Sequence, residues 1–332
     1  MTATPVVDAL ALLRRHLVWD NHVCMPLRPG DTSFLGELEA VHATGVDLSV
    51  LNVTFDPMPT DTGLAMIETF RGWVRAHADR FQLVDSVDDI ERARAAGRMG
   101  ICFDIEGGCA LNGDLSMVQR YRDLGVRWML IAYNRNNALG GGCQDEDSGL
   151  TDFGRAVVRE MERVGMAVCC SHTGERTAME VMAWARRPVI YSHANPAAVH
   201  PHPRNISDAA LRACAATGGV VCLNGIGIFL GANDASPATF ARHVDHVART
   251  IGVEHVGIGL DYCHDRADLD AYVQAHPELF PPEEGYAAGI RMLSPLELPQ
   301  VVEELARLGH GEAALAAILG GNLLRVARQT WR

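Results

Sequence analysis

The sequence predicts one (β/α)8 barrel of the TIM type, with a metal site at the C-terminal mouth of its strands. Three observations carry this expectation. Short Val/Ile/Leu-rich runs alternate with amphipathic segments along the chain, as parallel strands covered on both faces require. Eight such runs can be counted, and several of the helical segments stop at glycine (Gly125, Gly165, Gly218, Gly252). The stretch 166–205 repeats one pattern twice: an apolar run breaks into Ser171-His172, then, after a helical segment, another breaks into Ser192-His193. A strand–helix–strand unit sets both imidazoles at the carboxyl ends of neighbouring parallel strands, where barrels place their chemistry.

The expected strands are 17–22, 46–53, 100–105, 127–132, 167–171, 189–192, 220–223 and 256–260, with 83–86 a possible extra one. Expected helices cover 62–77, 116–124, 152–164, 176–186, 208–216 and 239–251. No linker rich in Pro, Gly or Ser divides the chain, so 1–332 reads as a single domain. The acidic, Pro-containing insertion 263–293 follows the last strand and is a candidate lid over the mouth. The tail, 294–328, reads as two helices, the first opened by Ser294 as N-cap, Pro295 and Glu297.

Composition narrows the partners. With 332 residues, 48% of them hydrophobic, the chain can bury a large core. A net charge of −12 without basic runs speaks against nucleic acid. No run approaches the ~20 apolar residues of a membrane span, and the first twenty residues do not read as a secretory leader. Nine cysteines, an odd number without a CxxC pair, read as reduced thiols of a cytoplasmic protein. There is no lysine: all 29 basic residues are arginine. Schiff-base chemistry, a P-loop and a carbamylated-lysine metal bridge are thereby excluded, so any side chain bridging two ions is expected to be a carboxylate.

The residues at the expected strand ends are His22, Glu106, Tyr133, His172, His193, Asn224 and Asp261. Three histidines and two carboxylates at such points form the inventory of a metal hydrolase, although any one of them alone is more often structural. Glu106 precedes two glycines that let backbone approach closely. Asp104 lies two residues earlier on the same strand face, where it can support a site from below. Asp261 reads either as a metal ligand or as a general acid/base. Arg204 follows the second histidine strand and can clamp a substrate carboxylate, or simply face solvent. The cluster His200-Pro201-His202-Pro203 reads as a rigid loop.

His22 in WDNHVCMP, Glu106 in DIEGG, His172 in SHTGERT, His193 in YSHANP, Arg204 in HPRNISD, Asp261 in GLDY and the terminal GGNLLRV together resemble the renal (membrane) dipeptidase family of metallopeptidases, amidohydrolase-like barrels. The resemblance spans nearly the whole chain in order. It implies two zinc ions bridged by Glu106, one completed by His172 and His193 and the other served by His22. It also implies a metal-activated hydroxide attacking an amide carbonyl, with Asp261 as proton shuttle. Arg204 would bind the carboxylate of a small dipeptide-like substrate, Asn224 would lie beside it, and the protein would be a homodimer.

Two positions depart from the family pattern. Cys24 stands where an aspartate ligand is usual, and Tyr133 where a histidine steadies the oxyanion. Cys24 is either a thiolate ligand, softer than carboxylate, or a buried thiol beside a weak or absent first ion. Tyr133 is either a neutral oxyanion donor, alongside Asn224 and Arg204 on the substrate side, or a packed aromatic. The sequence therefore points first to a metal-dependent hydrolase of a dipeptide or dipeptide-like amide with one or two zinc ions. A second reading is a mononuclear enzyme acting on a C–N bond of a small nitrogen-containing acid by cyclic-amide hydrolysis, deamination or a lyase step. A third is a non-catalytic metabolite-binding protein.

Overall fold

The computed structural model describes residues 8–331, so residues 1–7 and Arg332 of the expected domain lie outside it. Ten strands form one all-parallel sheet: β1 (Trp19–Cys24), β2 (Leu48–Phe55), β3 (Phe81–Leu83), β4 (Met99–Glu106), β5 (Val126–Leu130), β6 (Ala167–Cys169), β7 (Val189–Ile190), β8 (Val221–Leu223), β9 (Val256–Ile258) and β10 (Tyr262–Cys263). The order β7-β6-β5-β4-β2-β1-β9-β8 is joined into a ring by a parallel bridge between Tyr191 and Val221. Eight strands thus make the barrel, as the alternating pattern predicts.

The two remaining strands are local additions. β3 runs along the first half of β4, with Phe81 opposite Met99 and Leu83 opposite Ile101, while β5 takes the second half of the same edge. The extra strand expected at 83–86 is therefore real but begins earlier and stays outside the ring count. β10 continues the line of β9 along β1, pairing Cys24 with Cys263 after an interruption at 259–261. Asp261 sits in that interruption with φ 59°, a left-handed conformation uncommon for a non-glycine residue.

Strand alternation separates two cores. On β4, Ile101, Phe103 and Ile105 point outward into the layer filled by the surrounding helices, through residues such as Ile67, Phe70, Val118 and Tyr121. Cys102 points inward, joining Trp128, Leu130, Cys169, Ile190 and Cys222 in a plug that fills the barrel axis. Continuing the inward series, Asp104 and then Glu106 emerge above the plug at the mouth. The strand period thus delivers the two carboxylates to the same place.

Several helices escaped the sequence pattern: Ala9–Arg15, Leu38–Thr44, Val87–Ala95 and Gly227–Leu230. Val87–Ala95 is nucleated by a reciprocal cap between Ser86 and Asp89, which uses aspartate where the Glu/Gln signature is sought. In the tail, Ser294 and Glu297 form the expected capping box, followed by the helix Leu298–Arg307. The second tail helix runs without interruption from Glu312 to Thr330. Gly320-Gly321 does not break the chain: a π-helical turn, Ala317–Gly321, carries Glu312–Ala316 straight into Asn322–Thr330.

The insertion 263–293 contains the helix Arg266–Ala275 and short turns, and packs over the mouth. Val273, Leu279, Phe280, Tyr286 and Ile290 form a third apolar cluster with Ile226, Ile228 and Phe229 from the β8 loop. Its returning end is tied down by Gly227 N–H to Arg291 C=O (2.7 Å) and Leu293 N–H to Gly225 C=O (2.9 Å). Among the described residues no helix is long and apolar enough to cross a membrane.

Candidate metal centre

Three imidazoles converge on one carboxylate oxygen. The Nε2 atoms of His22, His172 and His193 lie 3.5, 3.5 and 3.3 Å from Glu106 Oε1. His172 and His193 approach each other to 2.8 Å through their Nε2 atoms, and the rings of His22 and His193 stack at 4.2 Å. All four side chains are buried.

The opposite ring nitrogens are held from outside. His22 Nδ1 donates to Asp104 Oδ2 (3.1 Å), and Asp104 Oδ1 in turn accepts from Asn52 Nδ2 (2.8 Å). His172 Nδ1 donates to Asn134 Oδ1 (2.7 Å), and the amide orientation of Asn134 is fixed because its Nδ2 donates to the carbonyl of Leu279 (3.2 Å). His193 Nδ1 pairs with Ser192 Oγ (2.9 Å). Acceptors on Nδ1 of His22 and His172 leave their Nε2 lone pairs directed inward, the arrangement of metal-ligating histidines.

Two further observations fit a cation here. Among the described residues Glu106 Oε1 accepts no hydrogen bond despite its burial, and burial raises the Glu106 pKa to about 8. The first leaves a buried carboxylate oxygen without a donor, and the second reflects a burial that His22 and Arg204 only partly offset. Burial also holds His172 and His193 well below the ordinary histidine range, in the neutral form a metal requires. For His22 burial acts in the same direction, but Glu106 and Asp104 outweigh it and raise its pKa.

A second donor group adjoins the first. Cys24 Sγ lies 3.5 Å from His22 Nε2 and 3.5 Å from Asp261 Oδ1, and His22 Nε2 lies 3.4 Å from the same Asp261 oxygen. Residues two apart on β1 point the same way, so Cys24 reaches the centre although it is a cysteine. His22–Glu106–His193 and His22–Cys24–Asp261 are each compact enough to hold an ion, with His22 common to both. Cys263, its partner in register, and burial push the Cys24 thiol up. Burial works against ionisation of Asp261, yet His193, His22 and Arg204 hold it well below the usual carboxylate range.

Backbone geometry explains DIEGG. Gly107 has φ +116°, and a Cβ there would fall 2.1 Å from Asp56 Oδ2. Asp56 is committed to the Cys109 N–H (2.8 Å) and to Asn137 Nδ2 (2.7 Å), so it cannot yield. His172 and Asn134 have φ of 60° and 56°. Three polar residues of the centre, Asp261 included, therefore occupy the left-handed region, where strain gathers at functional sites.

Above the centre lies a cavity of about 290 Å³ lined by Cys24, Glu106, His172, Asp261 and Tyr133, with lid residues on the far side. The Tyr133 ring stacks on His172 at 4.1 Å, and burial keeps its phenol neutral. One expectation changes, and one alternative falls away. Asn224 is not a cavity residue: it is fully buried, its Nδ2 donating to Asp261 Oδ2 (2.8 Å) and its Oδ1 accepting from the Ile226 N–H (2.6 Å). Its amide is consumed in aiming Asp261. Arg204 is buried rather than facing solvent, with its guanidinium 5.2 Å from the Phe229 ring, and no hydrogen bond reaches its Nε among the described residues. It lines a second cavity of about 250 Å³, and His172 lines both. Sequence reasoning missed Asn134, which bonds His172, and Asn52, which bonds Asp104 behind His22. Asn134 directly follows Tyr133 in LIAYNRNN, but nothing local marks its partner.

Comparison with known proteins agrees with this fold. An amidohydrolase from Pseudomonas aeruginosa superposes with a TM-score of 0.88 at 27% identity, over 98% of this chain and 99% of that one. A metallo peptidase from Rhodobacter sphaeroides, solved with a phosphinate mimic of the dipeptide L-Ala-D-Ala, shares the fold with a TM-score of 0.78 at 20% identity, covering 95% and 99%. Dipeptidase verJ of Clonostachys rogersoniana is 29% identical over 266 residues, 79% of this chain and 63% of its own. Dipeptidase 3 of Rattus norvegicus is 29% identical over 274 residues, 80% of this chain and 51% of its own. The chain thus spans between half and two thirds of the length of these curated relatives. The family model for membrane dipeptidases matches residues 42–272, a stretch that holds Glu106, Tyr133, His172, His193, Arg204 and Asp261 and leaves His22 and Cys24 outside. With most of its length matched, the chain belongs to the membrane dipeptidase family, peptidase family M19.

Proposed function

We propose that this protein is a metal-dependent hydrolase of small dipeptides or dipeptide-like amides. The observation that carries the reading is the convergence of three Nε2 atoms on the hydrogen-bond-free Glu106 Oε1. The donor set of nitrogen, carboxylate and sulfur suits zinc. Glu106 would bridge two ions, His172 and His193 holding one, His22 and Cys24 the other. Bound there, zinc acidifies water toward neutral pKa and offers positive charge to the carbonyl oxygen.

The chain's own groups do the rest. Asp261 opens onto the cavity and remains a carboxylate, so it can take the proton of the attacking water and pass it to the leaving nitrogen. Asn224 holds Asp261 in the orientation that this transfer needs. The Tyr133 hydroxyl donates to the carbonyl oxygen as charge develops on it. Arg204, buried without an acidic partner on its Nε, receives the substrate's terminal carboxylate. A reduced, cytoplasmic setting accords with nine free cysteines, the family resemblance supports a homodimer, and the net charge of −12 speaks against a nucleic-acid partner.

The test is turnover of L-Xaa-L/D-Xaa dipeptides, N-acyl amino acids and cyclic amides, with elemental analysis of the same preparation. Hydrolysis that chelation abolishes and zinc restores is expected. A zinc-replete protein inactive across the panel overturns the reading. The Cys24 thiol lying within hydrogen-bond distance of Asp261 favours one alternative, a single-ion enzyme acting on another C–N bond. About one zinc per chain with deamination, ring opening or elimination would select it.

A further inference from the structure

Six aromatic rings form an unbroken arc around the cavity. It begins at Tyr133, stacked on His172, and passes to Phe55 (5.1 Å) and Tyr272 (5.4 Å). It continues through Phe280 (6.0 Å) and Tyr286 (5.3 Å) to Phe229 (6.2 Å), whose ring lies against Arg204. Three of the rings belong to the lid, one to β2, and two to the loops after β5 and β8. Aliphatic side chains, Leu269 and Ile290 among them, fill the spaces between.

The charged groups of the cavity are already committed. Glu106 and Asp261 belong to the metal centre. At the rim Arg28 is paired with Asp31 (2.8 Å), Asp265 (3.0 Å) and Asp268 (3.1 Å). A substrate carboxylate entering the arc would lose its hydration and meet an excess of carboxylates, three against one arginine at the rim, while an ammonium held among the rings would lose its hydration with those carboxylates left behind at the rim. A large apolar side chain would leave water for a wall of rings and methyl groups.

We infer that this site selects substrates carrying a bulky apolar side chain, aromatic or branched aliphatic, next to the scissile bond. The inference rests on the dipeptidase reading above and names the substrate class within it. Burying a Leu or Phe side chain corresponds to roughly 10- to 100-fold in kcat/KM over alanine, on ordinary transfer energies.

The experiment measures kcat/KM of the zinc-loaded protein on two dipeptide series, Xaa-Ala and Ala-Xaa, with Xaa as Ala, Leu, Phe, Asp or Lys. In at least one series Leu and Phe should exceed Ala by about 10- to 100-fold, with Asp and Lys below Ala. Phe280→Ala should narrow the Phe-over-Ala ratio about tenfold, and Tyr272→Ala, on the partly exposed lid helix, should narrow it likewise if the first variant fails to fold. Zinc-dependent turnover with a flat ranking, or with Ala or Asp first, overturns the inference and leaves the dipeptidase reading standing. Lys ranking first also overturns it, since the rings would then be a cation cage. Absence of turnover on every member overturns the inference, and the wider panel of N-acyl amino acids and cyclic amides then decides the hydrolase reading.

Discussion

Asn134 joins the candidate metal centre to the insertion 263–293: its Oδ1 accepts from His172 Nδ1 at 2.7 Å while its Nδ2 donates to the Leu279 carbonyl at 3.2 Å. One buried amide therefore orients His172 and ties down the insertion at Leu279. Asn134→Gly keeps the left-handed backbone and removes both bonds. Metal affinity should fall roughly 10- to 100-fold, as for other lost supports of ligand histidines, and amides near Leu279 should exchange faster. Asn134→Asp retains the acceptor and loses the donor, so it should loosen the lid with a smaller loss of affinity. Metal titration and hydrogen exchange read the two effects separately. Unchanged exchange in both variants refutes the link.

Gly107 is required by sterics. Gly107→Ala drives a Cβ to within 2.1 Å of Asp56 Oδ2 at φ +116°, and should destabilise the fold by about 2–4 kcal/mol. Gly36→Ala, where nothing lies within 4 Å, should stay within about 0.5 kcal/mol. Denaturant unfolding of the two variants makes the comparison.

On the proposed reading Cys24 would set the character of the ion beside His22. In cobalt-substituted protein a bound thiolate gives a near-ultraviolet sulfur-to-metal charge-transfer band. That band should be present in the native chain and absent from Cys24→Asp, which should keep its metal and gain dipeptide turnover. Cys24→Ala should lose about one ion per chain. A native protein without the band removes Cys24 from the ligand set.

Asp261→Asn tests the proton shuttle. Asparagine tolerates the left-handed backbone at this position, so the fold and metal content should persist. Turnover should fall roughly 10²- to 10⁴-fold. Loss of metal alongside turnover would instead make Asp261 a ligand. Asn224→Ala, which frees Asp261 Oδ2, should produce a smaller fall, about tenfold.

Tyr133→Phe removes the hydroxyl and keeps the ring on His172. A loss of up to ~10²-fold in kcat with little change in KM identifies an oxyanion donor. Unaltered kcat assigns Tyr133 to packing alone. Tyr133→His, the residue usual in the family, should raise amide turnover.

How much of this was legible beforehand follows from the range over which each feature is encoded. β4 carries its own instructions: alternation along CFDIE sends Ile101, Phe103 and Ile105 outward and Asp104 and Glu106 to the mouth, a matter of strand period alone. The same holds for His22, His172 and His193, each placed where an apolar run ends. Short elements with weak periodicity, such as the helix Val87–Ala95, were illegible because tertiary packing stabilises them more than their own pattern does. Asn224 was misassigned because a position at a strand end sets which face a side chain takes and leaves its partner open.

By itself, then, the sequence determined the barrel, the strand-end donors and the two departures from the family pattern at Cys24 and Tyr133. Only the tertiary structure decided which donors meet. It aimed three Nε2 atoms at Glu106 Oε1, set Asn134 and Asp104 behind them, turned Asn224 onto Asp261, and drew six distant aromatic rings into one arc. The reason is physical: period and strand ends are local properties of a parallel strand. The neighbour across the barrel is fixed by crossover connections and by the stagger needed to close the ring, which no short stretch contains.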